Sequence, residues 1–360
     1  MQRVFLWLSA LLALYVSGFA CATGELLAPG DEKPVPHIAL LLPLKSAVFG
    51  SAAEAVRQGF QAAAEMEIKL PGGLPVHVYS CFDEDKDITA LYRQAIAGGA
   101  RAVVGPLTRS GASALAEERD IPVPTLALNV VEGTSASQLY FFGMAVEAEA
   151  RQAAQLARQQ GLHQAIVIVT HAQLAKRLQF AFEEEWHRSG GAILHEIEFD
   201  NDPAVFAEIA DIPDTTVFLA ADAEKARLIR PYLPNKLPIY ATSQIFVGNS
   251  DTLTNYDLNG IRFVDMPWLL QADHPAVMVY PRPVLPLSAD HERLYALGID
   301  AFRLIQLLLA GKVDAALPLD GVSGRIELDG HIFQRIAVPA MFAQGQGQLR
   351  NARGSPANHE

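Results

Sequence analysis

The chain has 360 residues, half of them hydrophobic and 19% charged, so it is long enough for two lobes with separate cores and too apolar for a disordered protein. Its formal net charge of −12 argues against a protein that binds the phosphate backbone of nucleic acids, and we expect no nucleic-acid partner.

The first 20 residues have the layout of a secretory signal peptide. Arg3 precedes a mostly apolar run from Val4 to Val16, and small residues follow the run. The run is shorter than the about 20 residues that a membrane-spanning helix needs. We therefore predict that residues 1–20 are a signal peptide removed on export.

Cys21 follows this segment at the position where bacterial lipoproteins are cleaved and acylated. We predict that Cys21 carries a lipid anchor and that residues 21–35 form a tether. Ala22 after the cysteine indicates an outer-membrane lipoprotein that faces the periplasm. The order Ala20-Cys21-Ala22 also suits ordinary signal cleavage, which would give a soluble periplasmic protein. Cys81 ends a strand-like run and is predicted to be a buried free thiol.

From residue 37 onward, strand and helix patterns alternate, which predicts parallel sheets covered by helices on both faces. The predicted strands cover residues 37–42, 76–80, 102–104, 124–128, 138–142, 165–170, 192–199, 216–220, 239–241 and 260–263. The predicted helices cover residues 52–64, 88–97, 110–118, 147–160, 174–189, 203–209, 223–233 and 290–309. Because so many strands exceed one comfortable open sheet, we predict two Rossmann-like lobes.

The chain is predicted to cross between the lobes more than once. The predicted lobes are residues 36–143 with 265–312 (lobe 1) and residues 144–264 with 313–345 (lobe 2). A hairpin that turns at Asp329-Gly330 is expected in the C-terminal part of lobe 2. Residues 346–360 are expected to be a disordered tail.

Several motifs occur in an order that is specific when taken together. The first strand ends in Pro43-Leu44, a loop with Gly50 follows, the next helix holds Gly59-Phe60, and a later strand ends in Val104-Gly105. This order resembles the type I periplasmic binding proteins, the Leu/Ile/Val-binding-protein-like superfamily. Stretches such as IALLLPL, VVGPL and RLYALGIDA are similar to the C-terminal domain of LpoA-like activators of penicillin-binding proteins. The resemblance runs from about residue 37 to 345.

The resemblance implies a function as well as a fold. It implies a non-catalytic envelope lipoprotein that binds and activates a bifunctional (class A) penicillin-binding protein and so promotes peptidoglycan synthesis. The short spacing after Cys21 leaves no room for the helical-repeat domain of that family, which we expect to be missing. The alternative is a solute-binding protein of an amino-acid or amide ABC transporter. His171-Ala172-Gln173, in place of the Tyr-Gly pattern typical of solute binders, favours the first interpretation.

Polar residues follow several predicted strands at the edge where a two-lobed α/β protein has its cleft. The candidate cleft residues are Lys45, Ser46, Gly50, Ser51, Thr108, Ser110, Asn129, Ser243 and Gln244. Backbone N–H groups and hydroxyls there could hold the carboxylate of a small-molecule ligand. The same residue types are common in helix caps and turns, so a purely structural role stays open.

The loop at residues 271–290 is rich in proline and poor in charge. Its candidate partner contacts are Tyr280, Pro281, Pro283 and Pro286. Prolines stiffen a loop and reduce the entropy lost on docking. The alternative is a loop that simply packs over the hinge.

Motifs of catalysis are missing from the sequence. It contains no nucleophile elbow, phosphate loop or dinucleotide-binding motif, and its ten histidines are scattered. The acidic run Asp83-Glu84-Asp85 with Asp87 lacks calcium-loop spacing and is predicted to be a solvated turn and helix start. We therefore predict no catalytic residue, no metal, no cofactor and no enzymatic activity.

Overall fold

The computed structural model describes residues 34–67, 73–131, 133, 136–207, 209–250 and 252–349. The predicted signal peptide and Cys21 lie outside the described residues. Within the described part of the chain, no helix is both long and apolar enough to cross a membrane.

Fifteen strands are present among the described residues. They are β1 His37–Leu42, β2 Val76–Ser80, β3 Ala100–Val104, β4 Thr125–Ala127, β5 Leu139–Phe142, β6 Gln164–Thr170, β7 Ala192–Phe199, β8 Thr215–Ala220, β9 Ile239–Ala241, β10 Ile261–Asp265, β11 Leu319–Asp320, β12 Arg325–Asp329, β13 Ile332–Ile336, β14 Val338–Ala343 and β15 Gln346–Leu349. The ten strands predicted before residue 264 are all present, with ends that differ by at most two residues.

Eleven α-helices connect the strands in the described residues. They are α1 Gly50–Glu67, α2 Glu84–Ala97, α3 Arg109–Ala116, α4 Val146–Gln159, α5 Gln173–Arg188, α6 Ala223–Ile229, α7 Thr252–Asn255, α8 Pro267–Leu270, α9 Pro275–Met278, α10 Ala289–Ala310 and α11 Val313–Ala316. Short 3-10 helices cover Pro203–Phe206, Arg230–Tyr232, Ser243–Ile245 and Tyr256–Leu258. The helix predicted over 203–209 is therefore only a 3-10 turn.

The strands form two sheets, which confirms the predicted two-lobed α/β fold. The first sheet has the order β11-β12-β13-β5-β4-β3-β1-β2, and the second has the order β15-β14-β10-β9-β8-β6-β7. The strands from β1 to β5 pair in parallel, as do those from β6 to β10, while antiparallel pairs occur only toward one edge of each sheet. All six residues of β1 are buried because helices cover both faces of the sheet.

Helices α1 and α10 pack against each other closely enough to require glycine at two contacts. A Cβ atom on Gly59 would lie 1.9 Å from the carbonyl oxygen of Tyr295. A Cβ atom on Gly298 would lie 2.2 Å from the carbonyl oxygen of Val56. The two backbones therefore approach each other directly over one face of the first sheet.

The C-terminal part of the chain differs from the prediction. The predicted hairpin forms and turns at Asp329-Gly330, but its strand β13 pairs with β5, so β11 to β13 belong to lobe 1 and not to lobe 2. The chain enters the second sheet only after Ala337, because Phe333 packs in the core of lobe 1 whereas Phe342 packs in the core of lobe 2. Residues 346–349, predicted as part of a tail, form the edge strand β15.

Three segments carry the chain between the sheets. They lie between β5 and α4, between β10 and α8 at Met266, and between β13 and β14 at Ala337. These three crossovers form the hinge, and they place α4, the end of β10 and the end of β13 next to the boundary of the lobes.

Candidate functional site

The start of α3 was predicted as an anion-binding wall of the cleft, but the protein fills this position itself. The backbone N–H groups of Leu107 and Thr108 donate to the carboxylate of Glu84 at 2.9 and 2.6 Å. The Thr108 hydroxyl accepts from the N–H of Gly111 and so caps the helix, while Ser110 is exposed. A carboxylate from a solute therefore cannot use the N–H groups of Leu107 and Thr108.

The structure corrects the expectation that all of the acidic run Asp83-Glu84-Asp85 is solvated. The acidic run was expected to be solvated, and the half-exposed Asp83 does cap α2, but Glu84 is only 2% exposed. Burial raises the pKa of Glu84, and its hydrogen bonds from Leu107 and Thr108 act in the opposite direction. An acid at the first position of a helix is expected for its effect on the helix dipole, so burial of Glu84 could not be predicted from its position in the sequence.

The loop after β1 is built from turn and helix-start residues. The Ser46 hydroxyl accepts from the N–H of Phe49, and the N–H of Gly50 donates to the Ser46 carbonyl at 3.0 Å. The ammonium of Lys45 lies 5.5 Å from the centre of the Phe82 ring. Ser51 is exposed at the start of α1. Contacts within the turn and at the start of α1 therefore account for most of the predicted cleft residues in this loop.

The remaining candidates also have partners inside the protein. The Asn129 amide donates to the Leu107 carbonyl at 3.1 Å, and its oxygen accepts from the N–H of Val130. The N–H of Ser243 donates to Glu149 at 3.0 Å. The N–H of Gln244 approaches the Thr242 hydroxyl at 3.5 Å. Asn129 thus joins the local network of Leu107 and Thr108, whereas Ser243 and Gln244 make other local contacts.

A buried ion pair connects the lobes at the first and third crossovers. Arg335, near the end of β13 in lobe 1, donates to the carboxylate of Glu149 in α4 at 2.8 Å. Both side chains are at least 96% buried. Arg335 also donates to the carbonyl of Ser323, and the second oxygen of Glu149 accepts from Ser243. The contact therefore connects elements of both sheets.

A second buried ion pair lies at the middle crossover. Arg293 of α10 donates to both carboxylate oxygens of Asp265, the last residue of β10, at 3.0 and 2.6 Å. It also donates to the carbonyls of Ser243 and Phe246 at 3.0 and 2.7 Å. Burial alone would lower the pKa of Arg293, but the Asp265 carboxylate outweighs burial and raises it. Arg293 also donates to the Asp290 carboxylate at 2.7 Å, so it remains charged and donates to five backbone and side-chain oxygens.

Together these contacts form a hinge network, defined here as Glu149, Ser243, Asp265, Arg293 and Arg335. Separating one of its ion pairs would leave a buried charge without a partner, at a cost of about 3–5 kcal/mol. Opening or closing motions in two-lobed proteins need a few crossover residues to change conformation freely. The network includes a residue beside each of the three crossovers, so it favours one fixed arrangement of the lobes.

The proline-rich loop is held on lobe 1 by specific contacts. The Arg282 guanidinium lies 3.9 Å from the centre of the Trp268 ring and donates to the Trp268 carbonyl at 2.9 Å. The Tyr295 hydroxyl donates to the carbonyl of Pro281 at 2.8 Å. Beyond these contacts, Val284 and Leu285 are 98% and 75% exposed. The loop is a fixed platform that presents two aliphatic side chains to solvent.

A polar cavity of about 190 Å³ lies between the lobes beside the first crossover. It is lined by residues of lobe 1, of the crossover and of lobe 2, namely Arg109, Asn129, Val130, Met144, Ala145, Glu147, Arg151 and Arg177. Of the predicted cleft residues, only Asn129 lines it. In the described part of the chain no group of three or more acidic, histidine or cysteine side chains could hold a metal ion.

Comparison with known proteins confirms the resemblance inferred from the motifs. A family model described as "LppC putative lipoprotein" matches residues 25–215 and 207–336. The chain is 28% identical over 315 residues to the penicillin-binding protein activator LpoA of Haemophilus influenzae, and 25% identical over 346 residues to that of Photobacterium profundum. These matches cover 83% and 85% of this chain but 52% and 56% of the relatives. The chain therefore spans about half the length of the curated relatives it matches.

Solved structures support the same fold. A Chromobacterium violaceum protein described as a "putative branched-chain amino acid ABC transporter" is 37% identical, with a TM-score of 0.74, and the match covers 86% of this chain and all of that one. The C-domain of Haemophilus influenzae LpoA, described as a regulator of PBP1A, is 25% identical with a TM-score of 0.70, over 86% and 98% of the two chains. The leucine-binding protein LivK of Thermotoga maritima, at 18% identity and a TM-score of 0.56 over 88% and 98%, is alike in fold alone.

Proposed function

Because the chain belongs to the LppC family of lipoproteins, we propose that it is a non-catalytic envelope lipoprotein that activates a class A penicillin-binding protein. The relatives that match most of this chain are named as activators of penicillin-binding proteins. The LpoA C-domain, which is described as a regulator of PBP1A, matches 86% of this chain. The proposed result of binding is faster peptidoglycan synthesis by the partner.

The observation that carries this proposal is the hinge network. A protein that captures a solute by closing two lobes needs a hinge that moves at low cost, whereas two buried ion pairs oppose movement here. The Glu84 carboxylate also occupies N–H groups that a solute carboxylate would use. A fixed pair of lobes is suited to docking on another protein.

The proposed docking surface is the platform of Tyr280, Pro281, Pro283 and Pro286 with the exposed Val284 and Leu285. Its contacts to Trp268 and Tyr295 hold the loop before the partner arrives, which reduces the entropy cost of association. A partner that contacts the platform more favourably in its active state is shifted toward that state. This differential affinity is the proposed mechanism of activation.

The proposed location is the periplasmic face of the outer membrane, with Cys21 acylated. Several acyl chains on one cysteine hold a protein firmly, since each buried methylene contributes about 0.8 kcal/mol. Labelled palmitate should be incorporated by the wild type and not by Cys21→Ala. Equal labelling of both would exclude Cys21 as the anchor, and no labelling of the wild type would indicate the soluble periplasmic form.

The partner is tested by affinity capture with a purified class A penicillin-binding protein of the same bacterium. Val284→Asp with Leu285→Asp should weaken binding at least tenfold, because two charges replace apolar contacts. Leu253→Asp is the matched control, since Leu253 is 84% exposed on lobe 2. Capture that fails for the wild type contradicts the proposed partner. Equal capture of the platform variant contradicts the proposed surface.

The second candidate is a solute-binding protein of an amino-acid or amide ABC transporter. It is favoured by the 37% identity to the Chromobacterium violaceum protein, whose whole length this chain covers. A solute binder should gain thermal stability from its ligand, by about 2.7 kcal/mol at a ligand concentration of 100 times Kd. Thermal unfolding with the 20 amino acids and their amides should show no such gain if the activator proposal is correct.

A further inference from the structure

Helix α8 lies between the middle crossover and the proline-rich platform, and its four residues reach both lobes. Trp268 is fully buried in the core of lobe 1. Leu269 packs against the cores of both lobes, and Leu270 packs against the core of lobe 2. The helix also contacts β14 and β15, the antiparallel edge of the second sheet. Helix α8 is therefore held between two cores that belong to different sheets.

The platform is attached to this helix through one arginine. The Arg282 guanidinium lies over the Trp268 ring, 3.9 Å from its centre, and donates to the Trp268 carbonyl at 2.9 Å. The Trp268 indole N–H donates to Glu292, whose carboxylate lies 3.9 Å from the Arg282 guanidinium. Because Arg282 contacts both the ring and the backbone of Trp268, a shift of α8 displaces the two groups that hold this part of the platform.

The hinge is attached to the other end of α8. Met266 alone separates Asp265, a member of the hinge network, from the helix. The N–H of Met266 donates to the Asp265 carboxylate at 2.8 Å, and the Met266 carbonyl accepts from the N–H groups of Leu269 and Leu270 at 3.1 and 3.2 Å. The first turn of α8 thus starts from the residue that binds Arg293. A continuous series of contacts connects the hinge, α8 and the platform.

We propose that α8 couples the arrangement of the two lobes to the platform, so that lobe 2 regulates the affinity of the platform for its partner without contacting that partner there. Packed side chains and hydrogen bonds carry such coupling between two sites when both sites bias the same element. Coupling is reciprocal, so a partner that binds the platform also stabilises the arrangement of the lobes. This inference rests on the proposed activation, because it concerns regulation of the docking surface proposed there.

The test is titrated capture of Leu270→Ala by the purified class A penicillin-binding protein of the same bacterium. This substitution shortens the side chain that packs α8 on lobe 2, and it changes no residue of the platform or of the hinge network. Capture should be weakened by about fivefold or more, the lower end of typical coupling between two sites. Unchanged affinity of Leu270→Ala overturns the proposal.

Leu194→Ala is the matched control for this variant. Leu194 is also a half-buried leucine packed against the core of lobe 2, but it lies in β7, at the opposite edge of the second sheet from β14 and β15. Both variants should unfold at a lower temperature than the wild type, whereas only Leu270→Ala should lose affinity for the partner. Equal loss of affinity in both variants overturns the proposal, because general destabilisation would then explain it.

A double-mutant cycle tests whether the effect passes through Arg282. Arg282→Gln removes the guanidinium that lies over the Trp268 ring and should itself weaken capture. If α8 acts through this contact, Leu270→Ala should weaken capture by less than about twofold in the Arg282→Gln chain. The same fold-change in both backgrounds would show that Leu270 acts by another route and would overturn the proposal.

Hydrogen exchange of the chain alone distinguishes this inference from the proposed activation. The N–H groups of Met278 and Tyr280 donate to backbone carbonyls in the segment that leads into the platform, so their exchange reports on its order. Leu270→Ala should speed exchange in residues 271–285 by about fivefold or more, and Leu194→Ala should not. Unchanged exchange in Leu270→Ala overturns the coupling whether or not the partner binds. Failed capture of the wild type with faster exchange in Leu270→Ala contradicts the proposed activation alone.

Discussion

Replacement of Glu149 by alanine should destabilise the folded chain more than any exposed substitution. It leaves the Arg335 guanidinium buried without its carboxylate partner, which costs about 3–5 kcal/mol. The N–H of Ser243 loses its acceptor as well. With a urea dependence of about 3 kcal/mol per molar, the loss lowers the unfolding midpoint by about 1–1.7 M.

Tryptophan fluorescence during urea unfolding measures this change in both lobes. Trp268 is buried in lobe 1 and Trp186 in lobe 2, so each lobe contributes to the signal. The matched control is Glu184→Ala, which removes an ion pair with Arg151 whose side chains are 41% and 53% exposed. Glu184→Ala should lower the free energy of unfolding by less than about 1 kcal/mol.

A double-mutant cycle separates the ion pair from other effects of the substitution. The double variant Glu149→Met with Arg335→Met removes both charges, so neither charge is left buried alone. Its loss in free energy of unfolding should be smaller than the sum of the losses of the two single variants by about 1–3 kcal/mol. Strict additivity, or a loss for Glu149→Ala no larger than for Glu184→Ala, would refute the account of the hinge.

Three further predictions concern single positions. Burial raises the pKa of Glu84 above its ordinary 4.5, so the folded state binds the proton of this carboxyl group more tightly than the unfolded state does. As the pH rises above 4.5, the free energy of unfolding of the wild type should therefore fall relative to that of Glu84→Gln, as measured by urea titration. Gly298→Ala should cost about 1–3 kcal/mol or more, measured in the same way, since its Cβ would overlap the Val56 carbonyl. Burial raises the pKa of Cys81 to about 11, so in a Cys21→Ser chain the native thiol should be alkylated far more slowly at pH 8 than the unfolded one.

Much of the fold follows from local patterns. The apolar run of β1 and the alternation of strand and helix indicate buried parallel strands, and these elements form as predicted. Cys81 is a buried free thiol as predicted. The end of the chain was predicted less well, because residues 333–342 look like one strand. Only packing in two different cores divides them at Ala337.

The hinge network could not be predicted from the sequence. Glu149 and Arg335 are 186 residues apart, and each looks like a surface residue in its own segment. Glu149 lies in the first turn of α4, where an acid is expected for its effect on the helix dipole. Burial of a charged side chain depends on which distant element covers it, and hydrophobic periodicity does not contain that information.

The most direct test of the account is the rate of glycan polymerisation by a purified class A penicillin-binding protein of the same bacterium. The soluble wild-type chain should increase this rate, Leu253→Asp should increase it equally, and Val284→Asp with Leu285→Asp should not. An unchanged rate at saturating wild-type chain would contradict the proposed activation.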